Sequence, residues 1–220
     1  MPNPFNIKRM NYSTWNVKFW GDNIITTVTS RTVEVDLWVK QTLNEHRSRV
    51  NDLVVGLDTE WCLPTVENDH QKVAIIQLCV GMKWIGFSRC LIFQFCQNNN
   101  KEAPVPLSLV RFLGNRRITF VGKEVKNDAR KLLEDYGLLV GNVRDVSEMA
   151  ASKYNDKEFL RLGLSKLVVQ FLNVGMEKPK EITMSEWDKE ELSDRQIQYA
   201  AIDGFVSFKL GFELMKPRKY

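Results

Sequence analysis

Short apolar runs alternate with polar punctuation along this chain, and their spacing predicts its elements. Residues 1–12 read as a loosely packed lead-in. From Tyr12 to Thr29, two β-rich runs flank Gly21-Asp22-Asn23, the pattern of a hairpin. Residues 32–48 put Val35, Trp38, Val39 and Leu43 on one helical stripe. Leu53–Leu57, Val73–Val80 and Lys83–Phe87 read as strands, with Gly81-Met82 as a tight turn between the last two. Leu91–Phe95 is a strand or a linking segment, and Asn98–Pro104 is a polar loop. A short helix at Leu107–Leu113 and a strand at Ile118–Val121 follow. A longer helix at Lys123–Tyr136 then ends before Gly137, ahead of a short strand at Val143–Val146. The remainder is mostly helical and closes with a helix over Asp194–Met215. Strands first, then strands alternating with helices, predict an α/β class.

The apolar run Leu53-Val54-Val55-Gly56-Leu57 stops abruptly at Asp58-Thr59-Glu60. Side chains alternate across a strand, so Asp58 and Glu60 share a face a short distance apart. Two like charges held there repel unless something positive lies between them. A hard divalent cation answers that need, and a turn or a helix cap is the alternative reading. On the Lys123–Tyr136 helix, Val125, Ala129, Leu132, Leu133 and Tyr136 form a core-facing stripe, and Asp128 falls on it. A carboxylate aimed at the core needs a metal or a salt-bridge partner. On the closing helix, Tyr199, Asp203, Val206 and Leu210 share a stripe, either as part of a site or as a structural Tyr–Asp hydrogen bond.

Taken together, these residues resemble the DEDD exonuclease superfamily, in its tyrosine-bearing branch. Leu53–Trp61 (LVVGLDTEW) is similar to the first motif, Phe120–Leu133 (FVGKEVKNDARKLL) to the second, and Gln198–Leu210 (QYAAIDGFVSFKL) to the third. Ile76-Gln77-Leu78-Cys79 and Ser185-Glu186-Trp187-Asp188 match the linking text. The nearest likeness is the exonuclease domain of Werner-syndrome-type proteins, particularly the stand-alone plant versions, over about residues 24–213. Gln stands at 198, where the histidine-bearing branch places His, and Tyr199 assigns the branch. Glu124 replaces the Asn of polymerase proofreading domains, and Gly204 stands where Ala is common.

The resemblance implies a ribonuclease H-like α/β fold, a five-stranded mixed sheet flanked by helices. Residues 1–23 form an N-terminal β-hairpin extension, 24–215 the exonuclease domain and 216–220 a tail. It implies 3′→5′ exonuclease activity releasing nucleoside 5′-monophosphates, with two Mg²⁺ or Mn²⁺ ions per site, which such enzymes hold roughly 3.5–4 Å apart. Asp58 bridges both ions, Glu60 and Asp203 complete the ion that activates water, and Asp128 holds the second ion through water. Tyr199 orients the attacking water. DNA is favoured over RNA, and RNA 3′-end trimming or a catalytically weak binding scaffold on the same fold are the alternatives. Trp61 and Leu63 pack against the terminal base, although Trp61 also suits the core. Lys123, Lys126 and Arg130, with neighbours Arg116, Arg117 and Lys131, either track phosphates or form a solvated face.

Composition changes this picture little. The 44% hydrophobic and 26% charged content is that of a soluble globular chain, and a net charge of +4 suits a polyanionic partner without requiring one. No stretch reaches the roughly 20 apolar residues of a membrane span, and the N-terminus lacks a signal-peptide pattern. An intracellular protein is therefore expected, nuclear rather than cytoplasmic, with Cys62, Cys79, Cys90 and Cys96 as reduced thiols. His46 and His70 lie near none of the motifs, which excludes a histidine-based triad or metal site. There is no P-loop and no helicase motif in these residues. Unwinding is expected from a helicase or other repair protein acting in trans, and self-association is left open.

Overall fold

The computed structural model describes residues 5–11, 13–64, 70–81, 87–97 and 101–218. Strands β1 (Phe5–Asn11), β2 (Thr14–Phe19) and β3 (Asp22–Thr29) open the chain, followed by helix α1 (Thr32–Glu45). Next come β4 (Val54–Trp61), β5 (Val73–Gly81), β6 (Phe87–Gln94), and the two-residue strands β7 (Cys96–Gln97) and β8 (Lys101–Glu102). Then follow α2 (Leu107–Leu113), β9 (Thr119–Gly122), α3 (Val125–Tyr136), β10 (Val143–Asp145) and α4 (Val146–Tyr154). Helices α5 (Leu164–Leu172), α6 (Lys180–Thr183) and α7 (Asp194–Met215) complete it.

One mixed sheet of eight strands, in the order β1-β2-β3-β6-β5-β4-β9-β10, carries the fold. The expected five-stranded unit lies within it as β6-β5-β4-β9-β10. There β4 is antiparallel to β5 and parallel to β9, the mixed pattern predicted. The N-terminal strands continue the same sheet: β2 pairs with β3, and β3 pairs parallel with β6. Two differences from the expected elements follow. Residues 5–11, expected as a loose lead-in, form the edge strand β1, paired antiparallel with β2. The strand expected at Leu91–Phe95 starts earlier, at Phe87, and pairs over Ser88–Gln94 with β5. The Gly81-Met82 turn and the strand expected at Lys83–Phe87 fall largely on residues 82–86, outside the described residues. The predicted hairpin forms, but its turn is Trp20-Gly21 and not Gly21-Asp22-Asn23: Asp22 and Asn23 already pair within β3, and Trp20 and Gly21 both take positive φ (46° and 87°), the geometry of a two-residue turn matched to strand twist.

Each face of the sheet buries its own core. Val55, Leu57, Ile76 and Leu78 pack beneath α1, α2 and α3. Val54, Ile75, Cys79, Cys90 and Ile92 pack beneath α7 and its neighbours. Helix α7 lies close against β4 because the strand offers no side chain at Gly56. A Cβ there would stand 2.0 Å from the Gly204 carbonyl oxygen and 2.5 Å from the Phe208 nitrogen. This approach brings Asp203 beside Asp58. Gly204 itself faces β5, where a Cβ would meet Gln77 Cβ at 3.2 Å. No helix among the described residues is long and apolar enough to cross a membrane.

Candidate active site

Strand β4 delivers Asp58 and Glu60 to the α7 face at its C-terminal end, as the alternation predicts. Helix α7 begins at a Ser193 cap closed reciprocally by Gln196. The Gln196 amide also donates to Ser185 Oγ and to the Glu186 carbonyl, fixing the preceding segment. This sets the phase of the helix so that Tyr199 and Asp203, four residues apart, look toward β4. One carboxylate oxygen from each of Asp58, Glu60 and Asp203 lies within 4.8 Å of the others.

Asp128 approaches differently. It sits on α3, on the opposite side of the sheet, and accepts a 2.6 Å hydrogen bond from Thr59 Oγ1. Thr59 lies between the two acids on β4, so its side chain points to the α3 face while theirs point to α7. The structure therefore gathers three of the four predicted acids into one group and holds the fourth behind the strand. Helix α3 starts from Glu124 in the left-handed region (φ 60°), and Glu124 N–H donates to Asp145 at 2.5 Å. That sharp corner turns the helix back along the sheet edge and buries Asp128 at 6% exposure. Leu133, expected on the same stripe, is instead exposed, being five residues on and so facing away.

The electrostatics are those of crowded, dry acids. Burial first, then the charges of Asp203 and Asp128, hold the Asp58 carboxyl well above the usual carboxylate range. Burial, then Asp58 and Asp203, do the same to Glu60. Asp128 is pushed up to about 7 by burial, against the lowering effect of the Thr59 hydrogen bond. The Tyr199 phenol is driven above its ordinary value, by burial first and then by Asp203, Glu60 and Asp58, so it remains a neutral donor.

One cation is already present, Lys178, which no motif or period marked. Lys178 Nζ donates to Asp203 Oδ2 at 2.7 Å and lies 5.5 Å from the centre of the Tyr199 ring. Burial alone would lower its pKa, but Asp203, Asp58 and Glu60 outweigh it and raise it. Lys178 lies in the irregular stretch between α5 and α6, where no periodicity marks a side chain as inward. That stretch is tied to the N-terminal hairpin by Trp20 Nε1, which donates to the Gly175 carbonyl at 2.7 Å.

The proposed substrate contacts divide. Trp61 stands at the edge of the site, 36% exposed, donating to Thr59 Oγ1 at 2.9 Å with Lys131 Nζ 4.6 Å above its ring. Leu63 is half-buried just beyond the strand. Lys123 pairs with Glu124, Lys126 with Glu148 and Arg130 with Glu134, so each has an acidic neighbour on the surface. A cavity of about 320 Å³ opens beside the acids, lined by Phe5, Phe19, Met176, Ile182, Tyr199 and Asp203. Cys79 and Cys90 are buried free thiols.

The donor set fits a hard cation. It is all carboxylate oxygen, with no thiolate or imidazole, and Asp203 Oδ1 is buried without a hydrogen-bond partner among the described residues. Asp58, Glu60 and Asp203 would hold such an ion, and Mg²⁺ or Mn²⁺ suits oxygen ligands of this kind.

The sequence profile described as "3′-5′ exonuclease" matches residues 30–217. A "3′-5′ exonuclease" of Arabidopsis thaliana is 30% identical over 171 residues, covering 76% of this chain and 54% of that protein. The "bifunctional 3′-5′ exonuclease/ATP-dependent helicase WRN" of Mus musculus is 30% identical over 153 residues, 70% of this chain and 10% of that protein. The chain thus spans about half or less of the curated relatives it matches. Escherichia coli RNase D, titled as an exoribonuclease involved in structured RNA processing, shares the fold at a TM-score of 0.63. It has 18% identity and covers 86% of this chain and 44% of that one. With an acid pair ending β4, a tyrosine and a third acid one turn apart on α7, and a profile match over nearly all of this frame, the chain belongs to the 3′-5′ exonuclease family.

Proposed function

We propose that this protein removes nucleotides one at a time from the 3′ end of DNA, releasing nucleoside 5′-monophosphates by a two-metal-ion reaction. The observation that carries this reading is the convergence of Asp58, Glu60 and Asp203 within 4.8 Å in a buried site of an exonuclease fold. Bound divalent ions supply water activation at neutral pH and charge neutralisation at the leaving oxygen. The chain's own groups do the rest. Asp58, Glu60 and Asp203 would hold the ions, with Asp58 as the shared ligand, and Asp128 would add its charge to the second position. Tyr199, held as a neutral phenol, hydrogen-bonds the attacking water and aims it along the scissile bond. It orients that water rather than acting as a base. The raised affinity of the acids for protons means that ion binding must release protons, so activity should rise with pH across neutrality.

Trp61 offers its exposed ring, backed by Lys131, as the platform for the terminal base. Stacking and phosphate contacts carry no base readout, so trimming is independent of sequence. DNA is the substrate that the likeness of the three motifs to the Werner-type exonuclease domain suggests. The test uses 5′-labelled single-stranded DNA, 3′-recessed duplex DNA and RNA, with Mg²⁺, Mn²⁺ or EDTA. The expected result is metal-dependent laddering from the 3′ end of DNA, lost in a folded Asp58→Ala protein. Faster trimming of RNA would overturn the DNA assignment, and near-normal activity of Asp58→Ala would overturn the metal mechanism.

A further inference from the structure

Beneath the three acids lies a second layer of polar groups that the mechanism above does not use. Gln77 is the residue directly opposite Asp58 in the β4–β5 pair, so its side chain shares the α7 face of the sheet. It is fully buried in the middle of the sheet, and neither Nε2 nor Oε1 has a hydrogen-bond partner among the described residues. Helix α7 passes directly over it, since a Cβ on Gly204 would stand 3.2 Å from Gln77 Cβ. Asp203 and Ser207 bracket that point of contact, four residues apart on one helical face. Ser207 is fully buried with Oγ unpartnered, and Asp203 is fully buried with Oδ1 unpartnered.

Unpaired buried polar groups are costly, so four such atoms together in one layer call for a reason. Their chemistry is complementary. Gln77 Nε2 and Ser207 Oγ–H are donors, while Asp203 Oδ1 and Gln77 Oε1 are acceptors. Two hydrogen bonds would use all four atoms. We propose that Gln77 and Ser207 are positioning residues for the metal site: when an ion displaces Lys178, the unpartnered Gln77 amide turns so that Ser207 Oγ–H donates to its Oε1 and its Nε2–H donates to Asp203 Oδ1. This relay fixes the rotation of the Asp203 carboxylate, so that Oδ2, which Lys178 now holds, is presented to the ion. Residues holding a ligand from behind commonly change metal affinity by 10–100-fold when removed. The inference rests on the metal reading given above and specifies which residues tune it.

The experiment is a Mn²⁺ titration by calorimetry of the wild type, Gln77→Met and Ser207→Ala, with thermal melts of each in EDTA. Methionine keeps the length of glutamine and removes both polar atoms. A merely unpartnered amide replaced in this way would leave metal affinity untouched. The expected result is a Gln77→Met protein at least as heat-stable as wild type in EDTA, whose Mn²⁺ affinity is at least tenfold weaker. Ser207→Ala, too small a change to unfold the chain, is expected to weaken Mn²⁺ binding in the same direction. Ser207→Ala also decides the matter if Gln77→Met does not fold. Wild-type affinity in the folded variants would overturn the relay. Absence of Mn²⁺ binding by the wild type would instead overturn the metal reading on which the relay depends.

Discussion

Replacing Lys178 by Met tests whether the acids at the end of β4 need a cation at all times. Methionine keeps most of the apolar stem that lines the approach to Tyr199 and removes the ammonium. In the metal-free protein this leaves Asp203, whose side chain is fully buried, without its 2.7 Å partner. Breaking one side of a buried ion pair costs about 3–5 kcal/mol. Two features reduce that here. The Lys178 side chain keeps 33% exposure, and Asp58 and Glu60 bind protons readily enough to relieve part of the repulsion. A loss of about 2–3 kcal/mol remains, and at roughly 2–4 °C per kcal/mol for a chain of this size the melting temperature falls by ~4–12 °C. A divalent ion should restore it. At a hundred times its Kd a ligand adds about 2.7 kcal/mol. Because the ion no longer competes with the ammonium, the variant should gain more from it than the wild type does. The assay is thermal melting at pH 7.5 in EDTA and in excess Mn²⁺. A Lys178→Met protein as stable as wild type in EDTA, with the same gain from Mn²⁺, would refute the counter-ion role.

Two further outcomes are expected. In EDTA, stability should rise as pH falls from about 8 toward 5. Asp58, Glu60 and Asp128 hold protons more tightly folded than unfolded, so their contribution is complete below the ordinary carboxylate range. It is lost as pH rises through the folded values, about 7 for Asp128. Melts across this range that are flat or slope the other way would count against the crowded-acid picture. Gly56→Ala should be among the most damaging substitutions in the chain, costing more than about 3 kcal/mol. Its Cβ would meet the Gly204 carbonyl oxygen at 2.0 Å, and neither backbone can yield without moving α7. Circular dichroism and melting of that variant would expose the error if it behaved like wild type.

Much of the site could be read from the sequence because its residues lie on periodic elements. Period-two alternation in β4 put Asp58 and Glu60 together, and the helical stripe on α7 put Asp203 with Tyr199. The helix bounds at Leu107–Leu113 and Asp194–Met215 were likewise legible, because polar breaks and a Ser193 cap frame them. The strand Phe5–Asn11 was not, because an edge strand with one exposed face carries weak apolar alternation.

The class of the fold, the order of its motifs and the types of residue available for chemistry are legible in the chain alone. They follow from local rules, since a residue's face on a strand or helix depends only on its neighbours along the chain. Which groups meet was settled by packing in three dimensions. It turned Asp128 toward Thr59 behind the strand, brought Lys178 from an irregular segment into Asp203, and slid α7 over Gln77 through the gaps left at Gly56 and Gly204. Those contacts join residues far apart in the chain, separated in sequence by 69 positions for Thr59 and Asp128 and by 25 for Lys178 and Asp203. Close packing of the sheet against its helices sets such distances, and no sequence period encodes them.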